Sequence, residues 1–324
     1  MTVRPRSDAE AKSRKHGVIT RRRFLQASAG TAASLSAGLL PTPAAARTER
    51  ATLVIAVLRG GADGMSMLIP HADPRYHRAR PSTRLESGRS DASGANAAGA
   101  IDLDGFFGVH PKLPTFATWY ERGELAAWPA VGWKRLERTH ARAERRLRAC
   151  VVHSVDPARV VWMSEGEQGR AGPAFSAQLE HAARLIERAT PPAVIWTECS
   201  GWDTHVAQSP RLADNLTGLD ATVSAARARF ARGSGRVSLL LVTEFGRSPL
   251  ENAHNGTDDG HAAAWFLIGS HLDDRGVRGD WPGLTGPEAL TPTSDAAHLL
   301  PQLIEAHASH VPVQPSAPEP RGKE

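Results

Sequence analysis

Four short apolar runs most constrain what this chain can fold into. They are "TLVIAVL" (52–58), "AVIWTE" (193–198), "VSLLLV" (237–242) and "AWFLIG" (264–269). Each is rich in β-branched or aliphatic residues and too short for an amphipathic helix. Such runs are typical of strands covered on both faces, as in a parallel sheet. Helical stripes lie between them. Phe175, Leu179, Ala182, Leu185, Ile186 and Ala189 recur at helical spacing, as do Leu212, Leu216, Leu219, Val223, Ala226 and Phe230. Strand and helix in alternation predict an α/β fold, a mainly parallel sheet with helices on both faces. A last helix is expected at about 295–308.

Every one of the first three runs ends in charge. After the first comes "RGGADGMS", with Arg59, Asp63 and Ser66; after the second "CSGWDTH", with Asp203 and His205; after the third "TEFGR", with Glu244 and Arg247, then "GTDDGH", with Asp258, Asp259 and His261. Ligands of open α/β sheets bind beyond the C-terminal ends of the strands, so these groups are expected at one edge. Carboxylates with imidazole suit a divalent cation such as zinc, manganese or magnesium. Asp203 and His205, two apart, point the same way in an extended segment. Asp63, Asp203, His205, Asp258 and His261 are therefore the expected metal ligands. Glu244 is expected beside them, and Arg59 with Arg247 as an anion clamp. A cation so held could bind a phosphate or sulfate oxygen and acidify a water. Taken singly, each has a plainer reading: Asp63 as a turn residue, Asp203 as a cap, Glu244 and Arg247 as a solvated pair.

The N-terminus constrains the charge argument. "TRRRFLQ" (20–26) has the twin-arginine pattern of a bacterial export signal, followed by a diluted apolar stretch to Leu40 and a small-residue cleavage site at "PTPAAA". Residues 1–46 are thus expected to be a signal peptide read by the twin-arginine translocation machinery, and the mature chain to be periplasmic or extracellular. The whole chain has 39 Lys+Arg and 34 Asp+Glu. Residues 1–46 hold eight of the former and two of the latter, so the remainder has 31 against 32, a net −1. The basic balance belongs to the signal, and a nucleic-acid partner is excluded on charge. No later segment has the run of about 20 apolar residues that a membrane span needs. Cys150 and Cys199, the only two cysteines, form no metal-type spacing. Residues 87–100 read as a loop, 313–324 as a disordered Pro-rich tail, and 133–170 fit no simple pattern.

The segments "TRRRFLQ", "LRGGADGMSMLIPHADPRYHRARP", "IDLDGFFGVHPKLPTF", "GWDTH", "TEFGRSPLENAHNGTDDGH" and "GDWPGL" resemble the DUF1501 family of bacterial exported proteins, itself similar to the alkaline phosphatase and sulfatase superfamily. The resemblance covers most of residues 47–312. It implies an alkaline-phosphatase-like sheet, Asp63 as the metal aspartate after the first strand, Asp203 with His205 as a later ligand pair, and Glu244 and "GTDDG" near the remaining ligands. Two departures stand out. The family's "GTDHG" is here "GTDDG", with Asp259 at the histidine position. Its Ser-His-Phe segment has only Thr139-His140 as an echo, in an atypical stretch 130–172. No nucleophile is assigned; Thr139, Ser154 and Ser164 are the candidates. The expected function is an exported metal-dependent hydrolase of phosphate or sulfate esters. The alternative is a non-catalytic envelope protein on the same fold, binding a metal, a glycan or a protein partner.

Overall fold

The structure, a computed structural model, describes residues 51–88, 99–137, 139–164, 173–233, 235–270, 272, 275–284, 286 and 289–308. The expected export signal and tail lie outside the described residues, as does most of the expected 87–100 loop.

The four apolar runs all become strands. They are β1 (Ala51–Leu58), β7 (Val194–Cys199), β8 (Arg236–Val242) and β11 (Ala263–Ile268). With β5 (Leu125–Gly132), β6 (Val160–Trp162), β12 (Gly276–Val277) and β13 (Ser294–Asp295) they form one sheet in the order β12-β5-β11-β8-β1-β7-β6, β13 pairing with β5. Neighbouring pairs are parallel except those of β11, which runs antiparallel to both β5 and β8. The sheet is therefore mixed and mostly parallel. Small ladders flank it: β2 (Leu68–Ile69), β3 (Ile101–Asp102) and β4 (Gly108–Val109) in one, β9 (Arg247–Glu251) and β10 (Thr257–Asp259) in another.

Alternation along β1 shows why its run is apolar throughout. Val54, Ala56 and Leu58 join one core with α3 (Pro114–Glu121), α5 (Pro173–Ile186) and α6 (Gln208–Phe230). Leu53, Ile55 and Val57 join the opposite core with α4 (His140–Ser154) and α7 (Ala296–His307). A strand with both faces covered has no polar face to show. The predicted stripes on α5 and α6 are buried except Ala189, which lies beyond the end of α5. Two short helices, α1 (Gly64–Met67) and α2 (Pro74–Ala79), follow β1. Asp73 caps α2 by accepting from the Arg75 amide at 2.8 Å, and Asp295 caps α7 by accepting from the Ala297 amide at 3.0 Å. Among the described residues no helix is long and apolar enough to cross a membrane.

The stretch 133–170, which fits no simple pattern in sequence, contains α4 (His140–Ser154) and β6, and β5 stands just before it. β5 carries Pro129, which ends a ladder in most strands. Here Trp128 pairs with Trp265 and Val131 with Ala263, so β5 has one residue too many between two pairs, and Pro129 sits in that bulge. α4 follows β5, and its buried Ala143, Leu147 and Val151 face the core, while Arg142 and Arg145 are exposed and Arg148 pairs with the buried Glu198 at 2.6 Å. Cys150 packs against the α4–α7 core and Cys199 belongs to the other, so the sheet separates them and no disulfide joins them.

Candidate functional site

The turn after β1 is built by two glycines. Gly60 and Gly61 have φ of +115° and +68°, a backbone that side chains rarely tolerate. A Cβ at Gly60 would stand 2.5 Å from the Asp203 amide, so the turn can press against the loop leaving β7. The turn aims its amides at Glu244. Gly60 and Gly61 donate to the Glu244 carboxylate at 3.2 and 3.3 Å, and the Thr243 hydroxyl at 3.2 Å. Burial pushes Glu244 upward, but His140 and the hydrogen bonds outweigh it and hold the carboxyl below the usual glutamate value.

Arg247 lies beneath this turn and is fully buried. It donates to the carbonyls of Gly61 at 2.6 Å and Thr257 at 3.0 Å, and to Asp203 at 2.8 Å. It stitches the loops after β1, β7 and β8 together. The expected anion clamp is thus corrected for Arg247: its donors are spent on the protein itself.

Around Asp203 the carboxylates gather. His205 Nε2 is 3.2 Å from Asp203 and 3.6 Å from Asp259, and its Nδ1 is 3.5 Å from Asp258. Burial pushes Asp203 upward, but its bond to Arg247 and the His205 ring hold it below the ordinary range. Asp258, mostly exposed, is also held low, chiefly by the Asn252 amide at 2.8 Å. Asp259 Oδ1 is buried and accepts no hydrogen bond among the described residues; Arg247 Nη1 is 3.6 Å away. Asp203, His205 and Asp258 are therefore brought together as expected, and Asp259, noted above as a departure, joins them.

Two expected ligands are elsewhere. Asp63 is 1% exposed and fully engaged. Arg80 grips it with two bonds of 2.6 and 3.0 Å, Ser66 donates at 2.6 Å and Gln208 at 2.5 Å. Burial would raise this carboxyl, but Arg80 outweighs that and lowers it. Its lone pairs are spent, so Asp63 is a structural anchor and not a ligand in this arrangement. Through Gln208, which accepts from Thr204 at 3.0 Å and Thr257 at 2.6 Å, the anchor supports the loops that carry His205 and Asp258. His261 is the second correction: its Nε2 is 2.6 Å from the Trp133 carbonyl, to which it donates. Arg59 is half-exposed at the same edge, paired with Glu144 and Glu198 at 3.2 Å each.

His140 is the residue that the sequence showed least. It opens α4, its Nδ1 3.5 Å from Glu244, its ring stacked 4.6 Å from that of Phe245. Glu244 raises its pKa, with Asp259 and Asp203 adding to the effect against partial burial. The nucleophile candidates do not converge here. Ser154 bonds back to Cys150 within α4 at 2.6 Å, and Thr139 and Ser164 are exposed. Among the described residues no group of three or more His, Cys, Asp or Glu side chains forms a ready-made metal cage. The donor types suit a divalent cation, and the cluster has more carboxylates than cations, but the donors line up along His205 instead of meeting at one point.

Crystal structures of the C-terminal periplasmic domain of EcEptC from Escherichia coli, one in complex with Zn, are similar to this chain at 10% and 9% identity. Each match covers 81% of this chain and 83% or 82% of that domain, with a TM-score of 0.42, at which the likeness carries no argument. No curated protein matches the sequence. Residues 157–297, which carry Asp203, His205, Glu244, Asp258 and Asp259, match the model described as a protein of unknown function (DUF1501).

Proposed function

We propose that this chain is an exported hydrolase of phosphate or sulfate esters that works with a bound divalent cation. The observation that carries the proposal is Asp259 Oδ1, a buried acceptor that has ion-pair neighbours at 3.6 Å but no hydrogen-bond donor among the described residues, in a cluster where Asp203, Asp258, Asp259 and Glu244 outnumber the guanidinium of Arg247. A buried carboxylate oxygen without a hydrogen bond is costly, and a cation would relieve it. Asp203, His205, Asp258 and Asp259 would hold the ion; zinc, manganese or magnesium fits the donor set. The ion would supply Lewis acidity toward an ester oxygen. The protein supplies the rest. Arg247 and the Asp63–Arg80–Gln208 network fix the loops, and Arg59, with 36% of its side chain exposed, lies at the edge where an anionic group would arrive. Export through the twin-arginine machinery belongs to the same proposal and rests on residues 20–46.

The test is elemental mass spectrometry of the purified mature chain, wild type beside Asp203→Ala. Bound metal in the wild type that is lost in the variant supports the proposal and calls for a screen of aryl phosphates and sulfates. The absence of a ready-made cage favours a second reading, an envelope protein that binds a glycan or a protein partner without turnover. A folded wild type without metal, and without ester turnover in added zinc, manganese or magnesium, would establish that one instead.

A further inference from the structure

The pairing of His140 with Glu244 has the form of a proton-transfer device. Glu244 cannot wander: two glycine amides and Thr243 hold its carboxylate, and it is 2% exposed. It therefore presents a fixed oxygen 3.5 Å from Nδ1 of a ring that packs against Phe245 at a tilt of 37°. At that distance Nδ1 makes no hydrogen bond among the described residues, and the carboxylate acts as an ion-pair partner that stabilises the charged ring. The His140 side chain is 39% exposed. The strongest charge effects on this ring come from three acidic groups: Glu244 after β8, Asp259 of β10 and Asp203 after β7. They favour the protonated form of the ring.

We infer that His140 is the proton donor of the centre and Glu244 its positioning residue. The inference rests on the hydrolytic reading above. The protonated ring gives its Nε2 proton to the departing ester oxygen as the phosphorus–oxygen or sulfur–oxygen bond breaks. The attacking water gives up a proton as its oxygen bonds to phosphorus or sulfur, and that proton restores the ring. Ester and water become acid and alcohol, with no net proton held by the protein.

Two readouts test this on the mature chain loaded with zinc. The first is the His140 titration by NMR, assigned with His140→Gln, in wild type and Glu244→Gln. We expect His140 to titrate above an ordinary histidine and to fall back toward it in Glu244→Gln. A titration that the substitution leaves unmoved overturns the pairing. The second is the pH profile of aryl phosphate and aryl sulfate hydrolysis. A proton donor must be protonated, so the rate should fall as pH rises through the His140 titration, and the fall should move to lower pH in Glu244→Gln. His140→Gln should lose about 10²–10⁴-fold, the span of one acid–base residue. Esters with good leaving groups need less protonation, so nitrophenyl esters should lose less than alkyl esters. Turnover that His140→Gln leaves unchanged removes the donor role while the hydrolase stands. No turnover of any ester, with the NMR result as expected, removes the hydrolase and the donor role together but leaves the pairing. A thermal melt of each variant separates these outcomes from misfolding.

Discussion

Asp63 shows how a residue can be found and its role still be missed. An acid between glycines at the end of the first strand is legible, and its position at the C-terminal edge is as expected. What the sequence conceals is Arg80, 17 residues on, which turns back to neutralise it. A buried charge is intelligible only with its partner, and nothing in "YHRARP" marks one of its two arginines as interior. Removing one member of such a pair leaves the other charged and dry, at a cost of about 3–5 kcal/mol. Arg80→Met should lower the unfolding free energy by that amount, read as a lower urea midpoint with the slope unchanged if the unfolded state is the same. Because the folded-state pKa of Asp63 is depressed, its contribution is fully present above the unfolded value of about 3.9 and is lost as pH falls through the folded value. Asp63→Asn should therefore remove part of the acid limb of the stability profile. An acid limb identical to wild type would show that Asp63 is not charged when folded. Asp259 and His140 illustrate the other side: a single sequence shows them as departures from a pattern, and only the fold shows that they stand around His205 and Glu244.

At the scale of elements, periodicity succeeded where one rule held along the whole segment. The stripes on α5 and α6 and the apolar runs of β1, β7, β8 and β11 each obey one period, and each formed within three residues of expectation. β5 breaks the rule with Pro129 and is rescued by a bulge, a tertiary solution that a local reading cannot see. α4 was obscured by its arginines, since few apolar positions suffice to seat it. Two substitutions gauge the helices. Leu216→Ala in α6, at a side chain with no exposure, should cost about 2–5 kcal/mol. Asp295→Ala, which removes the α7 cap, should cost about 1 kcal/mol. Chemical denaturation of both checks the ranking; equal effects would mean that the α6 site relaxes to fill the space.

For the whole molecule, the α/β class followed from the strand–helix alternation, but the direction of β11 did not. A strand buried on both faces reads the same whichever way it runs, so "AWFLIG" could not announce that it is antiparallel. Charge was legible at this scale once the first 46 residues were set aside. A mature chain of net −1 should show no salt-dependent affinity for DNA or RNA; fluorescence anisotropy at low and moderate salt checks this, and a steep salt slope would reveal a basic face that the count conceals. The sheet order also governs time. β1 is flanked by β7 and β8, and its partnership with β8 joins Ala51 to Arg236. The centre of the sheet thus unites stretches that a ribosome would deliver far apart, and contacts of such high contact order form slowly. Until β8 has been synthesised β1 lacks one of its two neighbours, so its apolar run waits, partly uncovered, for most of the chain. A nascent chain of this kind is exposed to chaperones and to aggregation for longer than one whose first strand pairs with its second.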